Sequence, residues 1–350
     1  MNGKLFILFE FGIPHYRGFL LEKLNASFQE IVAYHADDKF SGTFENHSSK
    51  CKCFGSGENK LCIFNVFSLL SASAIVTTLN LRRPHTWVPM LLLPWKKWII
   101  WGSGVGENSS LIVRFLRRIL LFISDGFVVY TENGRKKLIE FGYSDEKITV
   151  AYNTLKIENS CLTSGEKYFL YVGRVQKRKE LDACFHAIKK LQKKLLVVGG
   201  DYNDEISRLK VLADEEGCSD LVEFRSPIYD DAALKDVFSN AIAYVSPGHV
   251  GLGVVHAFGY GVPVVTFMER NHAPEFEYCN KHNSYLVLSD NISDALYECL
   301  NKPVEHFKRR ESAYCFYKEN LSVKNVYNAF FCQFERLGIS TDKTDVQDIP

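Results

Sequence analysis

Two stretches of the chain put glycines, cations and histidines together at spacings suited to holding an anion. The first, from Tyr244 to Thr266, reads Y-V-S-P-G-H-V-G-L-G-V-V-H-A-F-G-Y-G-V-P-V-V-T. An apolar strand end passes into Ser246, Pro247 and the glycines Gly248, Gly251 and Gly253, and a residue without a Cβ lets the backbone approach a ligand closely. Val254, Val255 and Phe258 recur at helical spacing, Gly261 stands where a left-handed C-terminal cap belongs, and Val262 to Thr266 reads as a buried strand with Pro263 at its start. Strand, glycine loop and helix N-terminus aim free N–H groups and the positive end of a helix dipole at one point, which suits a phosphate. A plain turn is the competing reading of Gly-x-x-Gly-x-Gly taken alone.

The second stretch, Gly173 to Leu181, reads G-R-V-Q-K-R-K-E-L and follows an apolar run. Arg174 offers a planar fork and Lys179 a point charge; at a strand end the two can take up negative charge building on a phosphate oxygen without a metal. Lys177 and Arg178 read as surface charge. His249 and His256 add hydrogen-bonding groups, and His256 lies about one helical turn beyond Leu252, so it can face the same ligand.

Positioning these groups takes parallel sheets. Short apolar runs alternate with helical patterns, as βα units do. In the first half they are Leu5 to Phe9, Ala74 to Thr77, Trp98 to Trp101, Gly126 to Tyr130 and Ile148 to Ala151. In the second they are Tyr168 to Val172, Leu195 to Val198, Val222 to Phe224, Ala241 to Val245, Val262 to Val265 and Tyr285 to Leu288. The expected fold class is α/β, with two Rossmann-like doubly wound domains. Residues 1–157 and 158–303 are the expected domains, with Ser160 to Lys167 as linker, 304–337 as a helical region and 338–350 as a polar tail. Residues 40–60, rich in Ser, Gly, Lys and Asn, read as a loop or lid. Ligands of an open parallel sheet lie beyond the carboxyl ends of its strands, which puts His15, Tyr16 and Arg17 on a rim.

A length of 350 residues at 46% hydrophobic content allows two ordinary cores. Residues 1–150 carry 18 Lys and Arg against 13 Asp and Glu, the rest 24 against 28. That imbalance is too modest for a nucleic-acid partner but suits an anionic membrane surface or a diphosphate-bearing acceptor. Leu91 to Trp98 and Ile112 to Ile123, with Arg114, Arg117 and Arg118, form the candidate membrane-facing segment; a core helix with a solvated basic edge is the competing reading. The ten cysteines show no paired spacing, which points to reduced thiols in a cytoplasmic protein, and Cys51, Cys53 and Cys62 lack the partners of a zinc site. Met1 to Phe9 reads as a first strand and not as a signal peptide or span.

The segment from Tyr244 to Thr266 resembles the donor-binding segment of family 4 glycosyltransferases, which are GT-B fold enzymes. Their pattern is a Glu, a Gly-Phe-Gly-Leu-like loop, a second Glu eight positions after the first, and a helix ending Gly-x-Pro-Val-Val. Aligned on Gly261, Pro263, Val264 and Val265, Gly248 takes the place of the first Glu and His256 that of the second. Gly173 to Glu180 is similar to the family's Gly-Arg-x4-Lys-Gly element, with Glu180 where a Gly is usual. Trp101-Gly102-Ser103-Gly104 resembles a Trp-Gly-His-Gly element with Ser103 for the His, and Pro14 to Arg17 looks like a Pro-Tyr-Arg turn beside the acceptor. Val128 to Leu138, continuing to Asn153-Thr154, is similar to the end of the family's first domain, and Pro274-Glu275 matches a Pro-Glu pair.

The resemblance implies two domains facing a cleft, and retaining transfer of a sugar from a nucleoside diphosphate sugar to a hydroxyl of a glycan or lipid-linked acceptor. Surface polysaccharide assembly is the implied setting. It implies no cofactor and no metal, with Arg174 and Lys179 as catalytic residues. Donor-binding residues would be Gly173, Gly248, His249, Gly251, Leu252, Gly253, His256, Ile228 and Glu275, and acceptor-side residues His15, Tyr16, Arg17 and Ser103. The final helical region would cross back to the first domain. With both glutamates replaced, two alternatives stand beside this reading: a GT-B partner subunit that binds nucleotide sugar or glycan without turnover, and an epimerase acting on the donor alone.

Overall fold

The computed structural model describes residues 3–36, 48–54, 61–106, 110–289 and 291–341. The chain divides into two units, Met1–Asn153 with Val323–Pro350, and Thr154–Ser322. The division therefore falls at Asn153-Thr154 and not after residue 157, and residues 304–322 stay with the second unit.

The first unit carries β1 (Lys4–Leu8), β2 (Glu30–His35), β3 (Ser48–Lys50), β4 (Lys52–Phe54), β5 (Leu61–Ile63), β6 (Ala72–Thr77), β7 (Trp98–Gly102), β8 (Gly126–Val129) and β9 (Ile148–Val150). Seven of them pair in the parallel order β3-β2-β1-β6-β7-β8-β9. Successive side chains of a strand point to opposite faces, so each strand feeds two cores. Leu5, Ile7, Ile99 and Val128 pack on one face with Leu20, Leu24, Phe330 and Phe334. Phe6, Leu8, Ile100 and Phe127 pack on the other with Met90, Leu120 and Leu138. The helix Val323–Arg336 belongs to this unit and supplies Val326, Phe330 and Phe334 to the first of these cores.

Two expectations change here. Within the stretch expected to be a loop, residues 48–50 and 52–54 are strands, while 40–47 and 55–60 lie outside the described residues. Antiparallel pairing of β4 with β5 sets Cys53 opposite Cys62, and their sulfurs are joined as a disulfide. The expectation of reduced thiols throughout therefore fails at this pair, because cross-strand neighbours nine residues apart in sequence carry no spacing signal.

The second unit carries β10 (Tyr168–Val172), β11 (Lys194–Val198), β12 (Val222–Arg225), β13 (Ala241–Val245), β14 (Val264–Phe267) and β15 (Ser284–Val287), all parallel, in the order β12-β11-β10-β13-β14-β15. The order reverses between β10 and β13, and a doubly wound sheet opens its ligand crevice at such a point. Ser160 to Lys167 is no linker. Cys161 N donates to Gly259 O at 3.1 Å and Lys167 N to Asn240 O at 3.0 Å, which ties the segment to the second unit. Among the described residues no helix is long and apolar enough to cross a membrane.

Candidate functional site

The site grows from the carboxyl ends of β10 and β13. After β10, Gly173 adopts φ 148°, a backbone conformation that side chains rarely enter, and so turns the chain out of the sheet. A short 3-10 turn, Lys177–Lys179, brings it back toward β13. There the Lys179 ammonium donates to His249 O at 2.7 Å, and the Gly248 N–H donates to Lys179 O at 3.0 Å. These two bonds join the cationic loop to the glycine loop.

The glycine loop is pinned from its other side as well. Ser246 Oγ donates to His249 O at 2.8 Å, and His249 Nδ1 donates to Asn271 O at 2.5 Å. Val250 N donates to His272 Nδ1 at 3.0 Å, while His272 Nε2 donates to Phe267 O at 2.7 Å. A ring that accepts at one nitrogen and donates from the other is neutral, and burial holds the His272 pKa below its ordinary value in agreement with that geometry. His272 thus acts as a latch for the loop, a role that sequence reasoning missed because nothing in its spacing marks it.

What the loop leaves open is its backbone. The N–H groups of Gly251, Leu252 and Gly253 donate to nothing among the described residues. A Cβ added to Gly251 would meet only the Lys179 ammonium, at 4.0 Å, so the free amides and the cation share one neighbourhood. Gly253 has no such room: a Cβ there would run into the Tyr244 hydroxyl, which donates to Val172 O at 3.1 Å. The following helix, Gly253–Gly259, buries Val254, Val255 and Phe258, and Gly261 ends it with φ 63°. Successive free amides beside a cation make an anion-binding concavity.

The charges fit that use. Burial pushes the Lys179 pKa down to about 8, Arg178 and Arg174 push it the same way, and Glu275 opposes them. Glu275 is itself 5% exposed and buried near enough for its charge to act on Lys179. Arg174 is exposed, makes no ion pair among the described residues, and lines with Lys177, Arg178, Tyr202 and Asn203 a hollow of about 640 Å³ to which neither Lys179 nor the glycine loop contributes. His256 stacks on Phe238, ring centroids 5.7 Å apart, and its nitrogens have no hydrogen-bond partner among the described residues. Burial holds its pKa at about 4, so at neutral pH the ring is uncharged.

Ile228 comes from a different strand end. It follows β12, the edge strand, with β11 standing between that strand and β10. In the first unit, Ser103 is exposed at the end of β7 and Tyr16 is half-buried. His15 opens the turn His15–Arg17, and its side chain lies outside the described part. Arg17 was expected on a rim and is instead 4% exposed. Its guanidinium lies 4.0 Å from the Trp101 ring centroid and donates to Asn153 Oδ1 at 2.6 Å and Tyr130 Oη at 3.2 Å. Stacking on an aromatic face lets Arg enter a core that would reject a bare ammonium. Among the described residues no group of three His, Cys, Asp or Glu is placed to hold a metal ion.

Residues 154–312 match the family model described as glycosyl transferases group 1. No curated protein matches the sequence. Among solved structures, the chain is similar to Anabaena Alr3699/HepE in complex with UDP, at 13% identity and TM-score 0.72, over 95% of this chain and 100% of that one. It is similar to a glycosyltransferase from Rickettsia africae ESF-5, at 12% identity and TM-score 0.72, over 96% of this chain and 98% of that one. The apo lipopolysaccharide outer core galactosyltransferase WaaB matches at 13% identity and TM-score 0.67, over 95% of this chain and 99% of that one. At such identities the likeness speaks to the fold, which is that of GT-B proteins.

Proposed function

We propose that this chain, a GT-B glycosyltransferase of the group 1 type, moves a sugar from a uridine diphosphate sugar to a hydroxyl of a glycan or lipid-linked acceptor, with retention at the anomeric carbon, in the assembly of a surface polysaccharide. The observation that carries the reading is the set of unpaired amides at Gly251, Leu252 and Gly253 gathered beside the Lys179 ammonium at the β10–β13 crevice. Breaking the bond to the anomeric carbon leaves an extra negative charge on the β-phosphate, and preorganised donors aimed at that oxygen lower the barrier without having to reorganise. Lys179 and the amides stabilise the departing diphosphate, and Arg174 extends the positive field from the exposed side. His256, neutral and unpartnered, offers the nucleoside one hydrogen bond. Tyr16 and Ser103 are retained as acceptor-side residues of the first unit. UDP is favoured over other nucleotides because the similar Anabaena structure holds UDP.

A thermal-shift series tests the donor. UDP at 100 times its dissociation constant stabilises a protein by ~2.7 kcal/mol, which raises the melting temperature by roughly 5–10 °C for units of this size. Absence of any shift removes the reading. A panel of UDP-sugars with and without acceptor then separates transfer from its rivals: conversion of donor alone indicates an epimerase, and binding without turnover a partner subunit.

We also place the first unit at an anionic membrane surface. The helix Leu111–Ile123 buries Leu120 and Leu121 but turns Leu111, Ile112, Phe115 and Phe122 outward beside Arg114 and Arg118, and Trp95 is 68% exposed. Apolar side chains among arginines suit the boundary between acyl chains and anionic headgroups. The protein is expected to float with vesicles containing anionic lipid, and Phe115→Ser with Phe122→Ser to remain in the soluble fraction. Equal recovery of both proteins would remove the membrane from the account.

A further inference from the structure

We propose that Glu180 reads the sugar of the donor, supplying from the cationic loop a carboxylate that the glycine loop cannot carry. The inference rests on the donor reading above. Glu180 ends the Lys177–Lys179 turn with φ 51° and ψ 40°, a left-handed conformation costly for any residue with a Cβ and tolerated where the surroundings over-determine it. Its stem lies over Gly248. A Cβ at position 248 would come within 2.7 Å of both Glu180 Cγ and Glu180 Oε1, and would also run into the Arg178 carbonyl oxygen. Position 248 therefore has no space for a side chain, and the volume above it belongs to the carboxylate rooted at 180.

That carboxylate is fixed but not used up. Arg270 Nε reaches Oε1 at 3.1 Å and Oε2 at 3.0 Å, so one N–H is shared between both oxygens. An ionised carboxylate accepts about four hydrogen bonds, and the Glu180 side chain remains 36% exposed. The bonds that join Lys179 to Gly248 through its backbone and to His249 through its ammonium hold it at a set place relative to the free amides of Gly251 to Gly253. Next to a diphosphate cradle a negative group repels phosphate but accepts from hydroxyls. A nucleotide sugar presents hydroxyls on its ribose and on its sugar; the donor reading gives the nucleoside to His256, which leaves the sugar to Glu180, and only the sugar is absent from UDP. Glu180 accordingly disfavours the diphosphate and favours its glycosyl ester.

The sign of this effect sets the test. The full chain and Glu180→Gln, which keeps the stem and removes the charge, are titrated calorimetrically with UDP, UDP-glucose, UDP-galactose and UDP-N-acetylglucosamine. The expected result is that Glu180→Gln leaves UDP affinity unchanged or raised while the preferred UDP-sugar weakens about tenfold or more, as loss of a hydrogen bond to a charged group requires. Glu180→Gly, which suits the left-handed backbone, is expected to repeat the loss with a melting temperature no lower than the parent. Parallel weakening of UDP and UDP-sugar would show that Glu180 only positions the loop and overturns the proposal, as would an unchanged ratio. Failure of the unsubstituted chain to bind any of the four nucleotides is a different outcome: it overturns the donor reading, and the assignment of Glu180 with it.

Discussion

Lys179→Ala is expected to lower the rate of sugar transfer at saturating donor by about 10²- to 10³-fold, the usual effect of removing one preorganised donor from a developing anion. The ammonium is held by His249 O at 2.7 Å near three unpaired amides. Arg174 is exposed and more fully screened by water, so Arg174→Ala is expected to cost less than Lys179→Ala. The pH dependence carries a second signature. In the free protein burial and the two arginines bring the Lys179 pKa down to about 8, and a bound diphosphate favours the charged form. UDP affinity should therefore be level below pH 8 and fall as pH rises above it, by up to about tenfold per unit. In Lys179→Met that slope disappears. Measuring kcat by UDP release and Kd by calorimetry across pH 6 to 10 checks both; a Lys179→Ala enzyme within threefold of the parent would remove Lys179 from the chemistry.

Arg310→Ala is expected to destabilise the second unit by about 3–5 kcal/mol, the range for breaking a buried charged network. At 2–4 °C per kcal/mol this is a fall in melting temperature of roughly 10 °C. Arg310 is 2% exposed and has carbonyl and hydroxyl partners in place of a carboxylate. Its Nε donates to Thr163 O at 2.7 Å, Nη1 to Ala241 O at 3.0 Å and Ile242 O at 2.9 Å, and Nη2 to Thr163 Oγ1 at 2.7 Å. Burial pushes its pKa down to about 10, still far above neutrality, so the group stays charged and the four bonds persist at physiological pH. Truncation removes a donor from the buried carbonyl oxygens of Ala241 and Ile242, the second of which keeps His306 Nε2 at 3.1 Å, and from the half-buried carbonyl and hydroxyl of Thr163. Arg310→Lys cannot span the same acceptors, because an ammonium on a flexible stem lacks the planar fork. Thermal melts followed by circular dichroism read both variants, and a loss below 1 kcal/mol for Arg310→Ala would show that water replaces the guanidinium.

The same arginine explains one expectation that failed. Ser160 to Lys167 has the small and charged composition of a linker, yet Arg310 and the backbone of Gly259 and Asn240 hold it against the second unit. Composition reports what a segment could do in water, and here the partner that orders it lies 147 positions away. The disulfide between Cys53 and Cys62 was hidden for a similar reason, since only the register of an antiparallel pair sets them side by side. β2 escaped notice because Glu30 to His35 mixes polar ends with short apolar residues, although Ile31, Ala33 and Tyr34 are buried beside β1.

Local order was legible from residue types alone. Runs such as Tyr168–Val172 and Ala241–Val245 declare strands buried on both faces, and Gly261 declares a left-handed cap, because these properties depend on neighbours a few residues apart. That Gly173 to Leu181 and Tyr244 to Thr266 would lie side by side was legible too, since parallel βα units bring their strand ends to one side of a sheet. Folding in three dimensions decided the rest. It set Arg17 inside a stack on Trp101, made His272 a neutral latch, and laid the Glu180 stem over Gly248. Each of those outcomes turns on which distant atom fills the space next to a side chain, and that is fixed by packing between elements, which no local spacing encodes.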